Sequence, residues 1–176
     1  MQYIQYIEST QEWTCPKTGK WKIICVGGGG GGYLYRTSDY GNCIYTGNPG
    51  GTTSFGTYLS ANGGAGGSSG SNPEGSVQTA YGINGYAGCI EYSSISNRLL
   101  GIGYGASGGA TSTISISLIN AGSPGEIRTT VVDIEENSVI SCTVGEGGES
   151  VQSGSNYANH KAFGGAAGAV ILEYLG

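Results

Sequence analysis

Trp21, Ile23, Ile24, Cys25 and Val26 form an apolar run interrupted only by Lys22, and it leads directly into six consecutive glycines at 27–32. Successive apolar residues rich in β-branched types predict a short strand covered on both faces. The closing stretch Ala169, Val170, Ile171, Leu172, Glu173, Tyr174, Leu175 is equally apolar and is expected to share its sheet. Ile114, Ile116 and Leu118 alternate with Ser115 and Ser117, which predicts a strand with one apolar face. Residues 126–134 read as a strand. Glu135, Glu136, Asn137 and Ser138 make a polar turn into a partner at 139–144, where Ile140, Cys142 and Val144 share a face, and Gly145 onward ends that hairpin. Residues 3–7 alternate weakly enough to be an edge strand. Trp13 to Pro16 lead through Lys17, Thr18, Gly19 and Lys20 as a hairpin into the Trp21 strand. Residues 52–61 predict a bent or paired strand with Gly56 at a bulge. No segment carries a helical period.

Between these strands lie three irregular stretches, 33–49, 68–110 and 149–163. Loops this long in a compact domain are uncommon and usually functional. Nine of the 13 tyrosines fall in them: Tyr33, Tyr35, Tyr40, Tyr45, Tyr81, Tyr86, Tyr92, Tyr104 and Tyr157. Serine, glycine and asparagine surround them, a mixture that suits a recognition surface, because tyrosine brings contact area at low entropic cost and small polar residues adapt their hydrogen bonds. The plainer reading has each tyrosine capping the glycine-rich parts or filling gaps between loops. For the set, binding is expected, since nine buried hydroxyls would require nine partners. Arg36, Arg98, His160 and Lys161 are the basic residues of these loops and suit an anionic surface glycan.

Composition sharpens the picture. Glycine supplies 36 of 176 residues, and only 11% of residues are charged. With 38% hydrophobic residues and a net charge of −5, the chain reads as folded rather than disordered. One domain is expected over 1–176, with N-terminal strands in 1–26, glycine runs and tyrosine loops in 27–110 and C-terminal strands in 111–176. Three glycine runs, at 27–32, 63–67 and 164–168, each abut a strand. Such segments can take the left-handed, three-residue-per-turn conformation of polyproline, whose donors and acceptors all point outward. Several side by side satisfy one another at distances only glycine permits. The spacing is too irregular for collagen, and the strict three-residue glycine period of an ice-binding polyglycine protein is absent.

The fold class expected is therefore all-β: a small sandwich-like scaffold with glycine-rich, polyglycine-type segments, long displayed loops and no helices. The mildly acidic balance argues against nucleic acid as a partner. No stretch of about 18 apolar residues occurs, so membrane insertion is not expected, and 1–8 lacks the pattern of a secretory signal. Cys15, Cys25, Cys43, Cys89 and Cys142 form no CxxC pair, so no metal site is expected. Cys25 and Cys142 are expected as buried thiols made in a reducing cytoplasm.

Catalytic patterns are weak. Residues 103–108 and the hexaglycine both match GxGxxG without the helix that motif requires, and neither has a P-loop lysine. His160 is the only histidine and finds no nucleophile in sequence. Asp133, Glu135 and Glu136 are the carboxylates a glycan hydrolase would need, but their place at a strand-to-turn junction suits solvated turn residues better. No enzyme activity, catalytic residue or cofactor is expected.

Trp13-Thr14-Cys15-Pro16, then Ile23-Ile24-Cys25-Val26 with the hexaglycine, resembles the opening of the glycine-rich domain of bacteriophage tail-fibre and tail-tip adhesin proteins. Gly51-Thr52-Thr53-Ser54-Phe55-Gly56 with Leu59-Ser60-Ala61-Asn62-Gly63-Gly64 is similar to its middle motif. Gly122-Ser123-Pro124-Gly125-Glu126, Thr143-Val144-Gly145-Glu146-Gly147-Gly148, and 164–174 match in the same order. The resemblance implies a β scaffold, sometimes with a polyglycine bundle, whose loops recognise a bacterial surface receptor, protein or glycan. The chain departs from it at 71–100, where mixed Tyr, Ser, Asn and Ile sequence replaces glycine repeats. The expectation is a virion protein of the tail, assembled in the host cytoplasm beside other phage tail proteins, as a monomer or a homo-oligomer. The receptor-binding candidates are Tyr33, Tyr35, Arg36, Tyr40, Tyr45, Tyr81, Tyr86, Tyr92, Tyr157 and His160. The alternative is a purely structural virion component of baseplate, fibre tip or head, whose loops contact neighbouring subunits.

Overall fold

The computed structural model describes residues 3–36, 43–68, 91–92, 99–100, 104–111, 117–154 and 161–176. Among these the chain is all-β: strands and turns occur, and no helix. The first sheet has the order β1 (Ile4–Ile7), β16 (Ala169–Tyr174), β3 (Gly19–Val26), β12 (Ile127–Ile134). The second has the order β2 (Gln11–Thr14), β13 (Val139–Thr143), β6 (Thr53–Phe55), β7 (Leu59–Ala61). All pairings are antiparallel. The Trp21 strand and the closing strand are direct neighbours, Ile24 opposite Ile171, and 4–7 is an edge strand, both as the apolar pattern required.

These two sheets pack face to face. Ile7, Trp21, Ile23, Cys25, Val170 and Leu172 of the first meet Trp13, Phe55, Ala61, Ile140 and Cys142 of the second in one buried core. Trp13 stands edge-on to Trp21 with centroids 5.2 Å apart. On the outer face of the first sheet Ile24, Val26 and Ile171 are also buried, with Ile4 and Tyr104 against them, and the Tyr104 hydroxyl donates to Glu8. Burial on both faces is why β3 and β16 read as continuous apolar runs. Glu173 is buried as well, in register between Lys22 of β3 and Ile4 of β1, where an opposite charge faces it across the pair.

Two expected hairpins are instead arches between the sheets. β2 and β3 lie in different sheets, as do β12 and β13. The two connections run side by side at the base of the sandwich: the Cys15 amide donates to Ser138 O and the Asn137 amide to Cys15 O, both at 2.8 Å. A short polar turn serves an arch as well as a hairpin, so the pattern did not distinguish them. Residues 53–61 are a paired strand, as expected, but Gly56 (φ +49°) sits in the tight turn between β6 and β7 rather than at a bulge.

Beyond the sandwich the hexaglycine becomes the axis of a bundle. Its amides go in turn to three segments: Gly27 and Gly30 donate to Glu126 and Ser123, Gly28 and Gly31 to Gly51 and Asn48, and Gly29 and Gly32 to Ala166 and Phe163, all at 2.9 Å. The partner changes with every residue and returns every third, which is the period of the polyproline-type helix. Partner numbers fall as glycine numbers rise, so these three segments run antiparallel to the axis. The carbonyls complete the set, because Gly28 and Gly31 accept from Gly64 and Gly67, Gly29 from Gly148 and Gly30 from Gly108, at 2.7–2.8 Å. A Cβ at Gly28 or Gly31 would strike the carbonyls of Glu146 and Glu149, and one at Gly29 or Gly32 those of Ala106 and Gly109. These three segments therefore run parallel to the axis.

The six outer segments also bond to one another in a closed ring. Gly51 donates to Glu146, Gly165 to Gly148, Ala166 to Ala106, Gly122 to Gly108, Ser123 to Ala65, and Gly50 to Gly64. Going round, 47–51, 145–149, 163–168, 105–109, 121–126 and 62–67 alternate in direction about the glycine axis, giving hexagonal packing of seven extended chains. Ordering each axial glycine costs about 1–2 kcal/mol. Nearly two buried backbone bonds per residue, each contributing about 1 kcal/mol net, offset this.

Proline fits the same scheme. In 121–126 the amides of residues 122, 123, 125 and 126 are bonded within the bundle, and position 124, where Pro124 stands exposed, has none to spend. Pro49 occupies the matching slot of 47–51, between the bonded amides of Asn48 and Gly50. Fixed φ and a missing donor suit both places.

Candidate recognition end

The bundle carries the chain from the sandwich to a second β structure at its far end. There a sheet of order β11 (Ser117–Asn120), β4 (Tyr33–Arg36), β5 (Cys43–Gly47), β14 (Ser150–Gly154) is covered by the pair β10 (Ala110–Thr111) and β15 (Lys161–Ala162). Every one of these six strands adjoins a bundle segment: β4 follows the hexaglycine, β5 leads into 47–51, β11 into 121–126, β15 into 163–168, and β14 and β10 follow 145–149 and 105–109. The lattice thus anchors one end of each of these strands. Its rigidity is that of backbone packed on backbone, with no side chains to rearrange.

Leu34 lies opposite Tyr45 in register, and both are buried under the β10–β15 pair, against buried Ala110 and partly buried Ala162. The other face is open. Tyr35 pairs with Ile44, Ile44 with Ser153 and Thr46 with Val151; Tyr35 and Ile44 are partly exposed, and Thr46, Val151 and Ser153 are exposed. Phe163, 49% exposed, and Lys161 stand at the same end. The result is a mixed surface of rings, methyls and hydroxyls, suited to noncovalent contact.

The candidates read from sequence separate on this frame. Tyr35 is on the open face. Tyr33 and Tyr45 are 7% and 8% exposed, so their rings serve packing at the bundle junction and under the covering pair. The expectation that 33–49 is irregular is also corrected, because β4 and β5 fill much of it and β14 and β15 fill much of 149–163. Arg36 ends β4, and Tyr92 lies in β8 (Glu91–Tyr92), paired with β9 (Leu99–Leu100). Tyr40, Tyr81, Tyr86, Tyr157 and His160 lie outside the described residues, as does the expected strand segment 114–116. Ile44, Thr46, Val151 and Ser153 were missed as surface residues. The only signal was two-residue alternation over strands of five residues bounded by glycine, too short to stand out.

Chemistry beyond contact is sparse here. Among the described residues no group of three His, Cys, Asp or Glu side chains is placed to hold a metal ion. Cys15, Cys25 and Cys142 are buried free thiols, and burial pushes Cys25 up to about 12 and Cys142 up to about 11. Asp133, Glu135 and Glu136 are exposed near the base, remote from the far-end sheet. The glycines of 103–108 that formally match a nucleotide-binding motif contribute Gly105 and Gly108 to the bundle. Compared with protein-family models, with curated proteins and with solved structures, the chain gives no match.

Proposed function

We propose that this protein is a bacteriophage tail fibre or tail-tip protein that binds a receptor on the host surface through its far end. One observation carries the reading. The strands that bracket 37–42, 112–116 and 155–160 all belong to the far-end sheet or its covering pair. Sequence rich in Tyr, Ser and Asn, including Tyr40, Tyr157 and His160, therefore enters and leaves the fold at the end opposite the base. A scaffold that gathers these three stretches at one pole, on a glycine axis packed against backbone, suits recognition. The ordered glycine motifs resembling phage adhesins supply the class of partner, a bacterial surface protein or glycan.

The test is binding of the labelled protein to host bacteria, with phage adsorption as the competitor. Saturable binding that blocks adsorption is expected, and alanine at Tyr35, Tyr86 and Tyr157 together should reduce it while the melting temperature holds. Intact binding by the triple variant would remove these residues from the site. The burial of Tyr33 and Tyr45 gives those two rings the plainer role of packing within the chain. Coassembly with tail proteins and no binding to any permissive host would select the alternative of a structural virion component.

A further inference from the structure

The base of the sandwich carries a groove of about 290 Å³ lined by Tyr3, Pro16, Lys17, Trp21 and Tyr174. Its walls are rings: Tyr3 is edge-on to Trp21 at 5.5 Å, and Trp21 edge-on to Tyr174 at 5.0 Å between centroids. The polar atoms of those rings are already engaged, since Trp21 Nε1 donates to Lys17 O at 3.2 Å and the Tyr174 hydroxyl to Thr18 O at 3.1 Å. The Lys17 ammonium lies 5.0 Å from the centroid of the Tyr174 ring, and no carboxylate pairs with it among the described residues. The groove thus offers apolar surface and one cation, the complement of an apolar group beside an anion. Its volume lies at or below the lower end for small-molecule sites and suits a single large side chain.

A second feature meets it there. Tyr3 directly precedes β1, which among the described residues pairs with β16 on one side only, and Ile4-Gln5-Tyr6-Ile7 contains none of the Lys or Pro that blunt exposed edges. Tyr6 is 43% exposed along it.

We infer that this base is a docking site for an extended segment of a partner protein. The segment adds to the edge of β1 away from β16, seats one aromatic or branched side chain against the exposed Tyr3 ring and the half-buried Tyr174 ring that cover Trp21, and places a neighbouring carboxylate on Lys17. Strand addition supplies main-chain hydrogen bonds, and the groove supplies side-chain selection. The inference is independent of what the far end binds.

The experiment titrates the whole protein with the capped hexapeptide Thr-Val-Phe-Glu-Val-Thr and with its Glu-to-Gln counterpart, following the Trp21 indole and β1 amides by NMR. A saturable shift of both is expected, with the Gln peptide roughly five- to tenfold weaker, the loss of one charge-assisted contact. Lys17→Gln, at an exposed position, should weaken the Glu peptide equally and leave the Gln peptide unchanged. Three outcomes would overturn the inference: no shift at Trp21 up to the solubility of the peptide, equal affinity for the two peptides, or shifts of β1 that follow protein concentration instead of peptide. The last would give the base to a second copy.

Discussion

The amide of Gly29 donates to the carbonyl of Ala166 at 2.9 Å, and the amide of Ala166 in turn donates to Ala106 O at 2.7 Å, the carbonyl that a Cβ on Gly29 would strike. Three chains are locked together at a single glycine. The same triangle recurs around the axis, so the absence of a side chain is a packing requirement there.

Gly29→Ala should therefore destabilise the protein by about 3 kcal/mol or more, because backbone on every side prevents local relief. Gly164→Ala is the control: it is exposed, and an added Cβ meets only Gly148 O at 3.2 Å and Glu149 Cα at 3.8 Å. It should change stability by no more than about 0.5 kcal/mol. Urea unfolding of the two variants checks both, and equal costs would contradict the hexagonal packing.

Proline should be tolerated by slot. Ala167 is exposed and its amide makes no bond in the bundle, whereas the Ala166 amide is bonded. Ala167→Pro should stay within about 1 kcal/mol of the parent, and Ala166→Pro should lose about 2 kcal/mol or more. Thermal melts of the pair check that position 167 is the slot whose amide the bundle does not use.

The Glu126 carboxyl accepts from the Asn62 amide at 2.9 Å and from Arg128 Nε at 2.8 Å. The Asn62 amide first, then Arg128, hold it below the usual carboxylate range. A lowered folded value means that its contribution is present above the unfolded value and fades as pH falls through the folded one. Melting temperature against pH should show a smaller acid decline in Glu126→Gln than in the parent, with the difference confined to the acid side.

Burial pushes the Cys25 thiol from 9.0 up to about 12 and the Cys142 thiol from 9.0 up to about 11. Both should resist iodoacetamide at pH 8 in the folded protein and react in urea, as peptide mapping by mass spectrometry would show. Raised folded values carry the opposite sign from Glu126. Their stabilisation is complete below pH 9 and is lost as pH climbs toward the folded values, so Cys25→Ala with Cys142→Ser should flatten the alkaline decline.

Sequence by itself determined the all-β class, the central pairing of β3 with β16, the edge position of β1 and the demand that the hexaglycine pack against bare backbone. Apolar continuity and the lack of Cβ atoms are local properties, and they need no knowledge of the neighbours. Tertiary structure alone decided which segments surround the axis. Residues 47–51, 121–126 and 145–149 carry Asn, Pro, Ser and Glu, and look like ordinary loops in sequence. An outer chain turns only part of each three-residue turn inward, so glycine is required at some positions and side chains point outward at the rest. The same logic separated the tyrosines: Tyr35 and Tyr45 are alike in composition, yet strand pairing set one on the open face and buried the other beneath β10 and β15.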